Sequence, residues 1–188
     1  MPSLKEKYEK EITAKMMALF GYKNKLAVPR LLKVIVNVGL NAGQANDEKY
    51  KESIKSTLIR ITGQNPVFTK AKKSISAFKV REGMTVGLKA TLRGRRMYDF
   101  VDKLINITLA RVRDFRGLDK KSLGDSRSLT IGFREHVVFP EIKSDEVERI
   151  HGLEVTIVTS AKNTKEADAL FSLMGFPFKD EGSKELNN

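Results

Sequence analysis

Apolar side chains recur along this chain with two different periods, and the change of period marks out its elements. Leu4, Tyr8, Ile12, Met16, Leu19 and Phe20 fall at helical spacing, after a Ser3/Glu6 capping box and before Gly21. From Leu32 the period shortens to two: Leu32, Val34, Val36, Val38 and Leu40 alternate with Lys33, Ile35, Asn37 and Gly39, predicting a strand with Asn37 opposite the valine face. Asn46 and Asp47 cap a second helix carrying Tyr50, Ile54, Leu58 and Ile61, which Gly63 ends. Pro66 to Thr69 reads as a short strand and Met84 to Leu92 as a longer alternating one. Met97, Val101, Leu104 and Ile105 begin a third helix running to about Val112. Leu129 to Phe133 and Leu153 to Thr159 are further strands, and Asn163 with Glu166 caps a last helix, Lys165 to Met174, closed by Gly175.

Strand, helix, strand, strand, helix is the order of a split βαβ, or ferredoxin-like, core, here with an added helix at each end. The prediction is therefore an α+β fold with a largely antiparallel sheet, helices on one face and the other face open. No linker or internal repeat stands out, so residues 1–188 are read as one domain with a long basic loop at about 70–83. That loop has no convincing period, is dense in Lys and Ser, and holds a single bulky aromatic, Phe78.

Composition narrows the function classes. Hydrophobic residues make up 40% of the 188 positions, enough for a core, and the charged share of 31% is high without implying disorder. The absence of cysteine excludes disulfides, thiolate metal sites and cysteine nucleophiles, and fits a reducing compartment. No run approaches the roughly 20 apolar residues of a membrane span, and the N-terminus has no signal-like apolar segment, so neither a membrane nor an address label is expected. His136 and His151 stand in no metal-binding frame, a Gly-x-Ser-x-Gly elbow is missing, and Gly39 to Gly43 matches neither dinucleotide nor P-loop patterns. No catalytic residue, metal, cofactor or small-molecule substrate is therefore assigned.

Charge supplies the positive signal. Between Thr69 and Arg96 nine Lys or Arg face one acid, Glu82, which gives +8 of the chain's net +12. Lys70, Lys72, Lys73, Arg93, Arg95 and Arg96 gather at the two borders of one excursion, a pattern suited to phosphates. RNA is favoured over DNA, since no helix-turn-helix or zinc finger is present and an open polar sheet suits irregular RNA. A general nucleic-acid module, DNA-architectural or regulatory, is the alternative reading.

Several strings resemble the family of large-subunit ribosomal protein five, the bacterial protein that binds 5S ribosomal RNA. They are TGQNPVFTKAKKSISAFKVREGM from Thr62 to Met84, LKEKY at Leu4, VNVG at Val36, TLRGRRMY at Thr91, RVRDFRG at Arg111 and FPEI at Phe139, in the family's order over nearly the whole chain. The resemblance implies a non-enzymatic constituent of the cytoplasmic ribosome, in the central protuberance of the large subunit. Asn37, Gln64, Phe78 and Thr91 occupy the family's 5S-binding positions, beside the phosphate-contacting Lys70, Lys72, Lys73, Arg93, Arg95 and Arg96. It further implies contact with 23S rRNA and a loop, Ser74, Ile75, Ser76, Ala77, Lys79 and Arg81, that reaches the P-site transfer RNA. The later half would join an intersubunit bridge to small-subunit ribosomal protein thirteen, with the acid-rich Glu135 to Glu148 as a surface for a basic ribosomal partner.

Overall fold

A computed structural model describes residues 3–40, 43, 47–124 and 127–179. The first helix, α1 (4–20), begins at Ser3, whose hydroxyl accepts the Glu6 N–H at 3.3 Å, and ends at Gly21 with φ +68°. It contains a π-helical turn at Tyr8–Ile12, where the Thr13 hydroxyl donates to the Tyr8 carbonyl at 2.8 Å. The strands are β1 (Leu31–Gly39), β2 (Val67–Lys70), β3 (Thr85–Leu92), β4 (Ser128–Phe133) and β5 (Leu153–Thr159). Three further helices are α2 (Glu48–Thr62), α3 (Gly94–Lys103, continued by tighter and wider turns to Arg111) and α4 (Thr164–Met174).

The fold is α+β, with one five-stranded sheet in the order β2-β3-β1-β5-β4. β3 lies antiparallel to both β1 and β2 and separates them. Asp47 caps α2 by accepting the Tyr50 N–H at 3.0 Å, and Asn163 caps α4 by accepting that of Glu166 at 2.8 Å. The predicted Asn46 cap and the Asn41 and Ala42 part of the Gly39–Gly43 turn lie outside the described residues.

Two expectations need correction. Leu32 is 40% exposed while Leu31 is buried, so the strict alternation of β1 starts only at Val34, where its ladder with β3 also starts. The excursion after β2 is also less irregular than its composition suggests. Ala71 bonds Met84 O through its N–H (2.8 Å) and Gly83 N–H through its carbonyl (3.0 Å), and Ile75 and Val80 exchange both backbone hydrogen bonds.

Chain packing divides the protein into two compact units. The first holds the described residues of 1–33, 93–131 and 156–188; its core includes Met16 of α1, Val101 and Leu104 of α3 and its continuation, and Phe171 of α4, all fully buried. Tyr8 donates its hydroxyl to Pro29 O at 3.0 Å and its ring meets Tyr98 at 6.2 Å there. The second unit, 34–92 and 132–155, packs the Ile54, Leu58 and Ile61 stripe of α2 over the sheet, where Val34, Val36, Val38, Leu88, Ala90 and Leu92 are buried.

Candidate nucleic-acid interface

In the second unit, the residues of β1 and β3 that alternate with the buried ones form a solvent-facing surface. Register fixes who stands beside whom, because residues directly opposite in an antiparallel pair share a face. Asn37 is opposite Lys89, which is opposite Val67; Ile35 is opposite Thr91; and Gly39, Gly87 and Thr69 form the next row. Asn37, Thr69 and Thr91 are half-buried and Lys89 is exposed, so an amide, two hydroxyls and an ammonium meet on one face. Such groups supply donors and acceptors suited to base edges and 2′-hydroxyls.

Gln64 joins this group from the end of α2. The Thr62 hydroxyl bonds Leu58 O at 2.6 Å and accepts the Gln64 N–H at 3.3 Å, and Gly63 turns the chain with φ +65°. The Gln64 side chain then reaches across to β3 and donates from Nε2 to Thr91 O at 3.1 Å. Three of the residues singled out in the sequence, Asn37, Gln64 and Thr91, are thus gathered by β1, β3 and the α2 cap.

Phe78 belongs elsewhere. With Leu40, Ala71, Ile75, Val80 and Val86 it lines a groove of about 760 Å³ whose remaining lining residues are Lys72 and Lys73. Val86 is two residues from the buried Leu88, so this groove continues the face of β3 opposite to the one bearing Lys89 and Thr91. Ser76 to Phe78 form a short turn, Lys79 takes φ +52°, and the Ser74 hydroxyl accepts the Glu82 N–H at 2.9 Å. Ser74, Ile75, Ser76, Ala77, Lys79 and Arg81 are all exposed along this loop, and Lys70, Lys72 and Lys73 are exposed at its start.

The arginine group sits in the first unit. Arg93 precedes α3 without capping it through its side chain, Gly94 has φ +58°, and the exposed Arg95 and Arg96 occupy the first turn. Arg95 lies 3.7 Å from Asp99, an exposed pair of little energetic weight.

The acid-rich stretch is partly committed within the second unit. Arg60 donates to Glu146 at 2.7 Å and to the Glu141 carbonyl at 2.6 Å, and Lys143 lies 3.4 Å from Glu146. The Arg60 hydrogen bond holds the Glu146 carboxyl below its ordinary range, against a smaller opposing effect of desolvation. His136 and His151, unremarkable in sequence, stack with ring centroids 3.9 Å apart, and the edge of Tyr50 meets His151 at 6.5 Å. Nothing in the pattern along the chain singles out Lys89 or Thr69 either. Alternation put Lys89 on the polar side of β3, but only the register places it opposite Asn37.

The second unit thus presents a polar sheet face and a basic, hydrogen-bonded loop, features of an α+β nucleic-acid-binding protein, and comparison with known proteins shows the family. Residues 24–81 match the family described as "Ribosomal protein L5", and residues 85–178 match the model of that ribosomal family's C-terminus. Large ribosomal subunit protein uL5 of Carboxydothermus hydrogenoformans is 50% identical over 95% of this chain and 99% of its own length. The uL5 proteins of Heliobacterium modesticaldum and Kosmotoga olearia are 51% and 52% identical, over 96% and 94% of this chain and 100% and 96% of theirs. The chain belongs to the uL5 family: it is a structural constituent of the large ribosomal subunit, not an enzyme, and its partner in the cytoplasmic ribosome is ribosomal RNA.

Proposed function

We propose that this protein binds 5S rRNA in the central protuberance through the polar sheet face of its second unit. The observation that carries the reading is the convergence of Asn37, Lys89 and Thr91 on adjacent strands, with Gln64 hydrogen-bonded to Thr91 O. Asn37, Gln64 and Thr91 read the RNA by shape and polar contacts, while Lys70, Lys72, Lys73, Arg93, Arg95 and Arg96 neutralise phosphate on 5S and 23S rRNA. Phe78 contributes a stacking surface. The exposed loop of Ser74, Ile75, Ser76, Ala77, Lys79 and Arg81 contacts P-site tRNA, and a surface of the later half meets small-subunit ribosomal protein thirteen in an intersubunit bridge.

Binding of 5S rRNA by Asn37→Ala and Gln64→Ala tests the reading. Each loses a polar contact worth about 1–2 kcal/mol, so roughly five- to thirty-fold weaker binding is expected with unchanged circular dichroism. Unchanged affinity in both would remove the proposed readout. Excess duplex DNA at physiological salt should leave the 5S complex in place; its displacement would favour a charge-only nucleic-acid binder.

A further inference from the structure

The Thr91 carbonyl lies where the ladder between β2 and β3 runs out. Leu40 N–H donates to Val86 O at 2.9 Å, so the even-numbered carbonyls of β3 face β1 and the odd-numbered ones, that of Thr91 among them, face the β2 side. β2 begins at Val67, opposite Lys89, and is preceded by Pro66, which has no N–H; the ladder therefore stops two residues short of Thr91. Gln64 supplies the missing donor, from Nε2 to Thr91 O at 3.1 Å. A carbonyl can only accept, so this bond fixes which way the amide is turned. Its nitrogen end is held by the protein, and Oε1, which no group among the described residues bonds, is left as an acceptor beside Asn37, Lys89 and Thr91.

One buried atom ties Gln64 into this position. The Thr62 hydroxyl gives its single proton to Leu58 O at 2.6 Å, inside the last turn of α2, and accepts the Gln64 N–H at 3.3 Å, with Gln64 O 3.1 Å away. It thereby bridges the helix end and the Gln64 backbone across Gly63, whose φ of +65° makes the turn. A valine in its place would fill the same space and make none of these bonds. We propose that Thr62 is a positioning residue for RNA recognition: its hydroxyl locks the α2 cap so that Gln64 bonds Thr91 O and offers Oε1 to a hydrogen-bond donor of the RNA, a 2′-hydroxyl or an exocyclic amino group. This rests on the 5S-binding reading above and deepens it by fixing the chemistry of one contact.

The test uses the full chain and a 5S rRNA transcript. Thr62→Val should weaken binding roughly two- to ten-fold, and Thr62→Ser, which keeps the hydroxyl, should restore it. In a Gln64→Ala background Thr62→Val should cost nothing more, because the residue acts through Gln64; a full additive loss would make its role merely structural and overturn the proposal. In the RNA-free protein the Gln64 side-chain amide resonances should move toward those of a free glutamine in Thr62→Val and stay in place in Thr62→Ser; resonances unmoved by Thr62→Val would also overturn it. The donor is then identified with pools of 5S transcripts carrying random 2′-deoxynucleotides, or inosine, purine riboside or zebularine in place of the amino-bearing nucleosides. One position should interfere with binding of the parent and of Thr62→Ser but not of Gln64→Ala. Interference from the deoxy pool assigns a 2′-hydroxyl, and from an amine-deleted pool a base; the same interference pattern for the parent and Gln64→Ala would overturn the acceptor role. Weak binding by Gln64→Ala with parent-like binding by Thr62→Val sinks the positioning role alone, whereas parent-like binding by Gln64→Ala and Asn37→Ala sinks the broader reading as well.

Discussion

A methyl group added at position 87 would lie 2.6 Å from the Val38 carbonyl oxygen and 3.1 Å from Thr69 Oγ1. Glycine at this point of β3 lets β1 and β2 close in on both sides, one row from the Asn37–Lys89 pair. Gly87→Ala must push backbone aside, so a loss of about 1–3 kcal/mol is expected, read as a lower urea midpoint at constant m-value. The stacked histidines give the protein an acid-sensitive spot of a different kind. His136 Nδ1 lies 3.2 Å from the His151 carbonyl oxygen and 3.3 Å from the His151 backbone nitrogen, and both imidazoles are buried, which favours their neutral forms. Burial, and secondarily the facing His136, bring His151 down to about 4, and burial lowers His136 too. The unfolded chain therefore binds more protons between about pH 6.5 and 4, so stability is complete above this window and declines as pH falls through it. Urea unfolding at pH 7.5 and 5.5 should show a loss of about 1 kcal/mol that His151→Phe reduces; equal midpoints in the parent protein would count against the assignment. Neither residue-scale feature was legible in the sequence. His136 and His151 are fifteen positions apart, and it takes the folded second unit to bring them face to face.

Elements were more legible than contacts, and the reason is range. Ser3, Asp47 and Asn163 cap helices through bonds to residues three positions away, so their signals are local, and all three cap as read. The polar alternation of β3 was equally plain, because Leu88, Ala90 and Leu92 need only one buried face. The loop between β2 and β3 failed to announce its pairing. Ala71 bonds Gly83 and Met84, Ser74 bonds Glu82 and Ile75 bonds Val80, yet the intervening Lys and Ser carry no apolar period that would report it. β2 itself is a four-residue edge strand with a register shift at Thr69/Lys70 and a lysine at its end, features that discourage pairing with a second chain. The segment from Glu141 to Glu146 is tied to α2 by the Arg60 guanidinium. Arg60→Ala should leave the global urea midpoint within about 1 kcal/mol while speeding amide exchange across 141–147. A uniform change in exchange across the second unit would mean that the clamp serves the whole unit instead.

On the scale of the molecule, the charge carries information through where it stands. The nine Lys and Arg of Thr69–Arg96 are divided by the fold among four places: the start of the loop at Lys70, Lys72 and Lys73, the loop's far part at Lys79 and Arg81, the polar sheet face at Lys89, and the start of α3 at Arg93, Arg95 and Arg96. The sequence showed one basic stretch; the hydrogen-bonded loop separates its lysines into a base and a tip. If the base and the α3 arginines hold 5S phosphates, six such contacts correspond to a slope of log K against log salt of roughly −4 to −5. Lys70→Ala, Lys72→Ala and Lys73→Ala together should make that slope shallower by roughly 2 to 3. Lys79→Glu with Arg81→Glu should leave the 5S slope nearly unchanged and instead weaken tRNA binding by ribosomes reconstituted with the variant. The two charge sets then separate by RNA partner as well as by position in the loop. Equal losses of 5S and tRNA binding in both variants would mean one continuous electrostatic surface, and a salt-independent 5S affinity in the parent would deny phosphate contact any leading part.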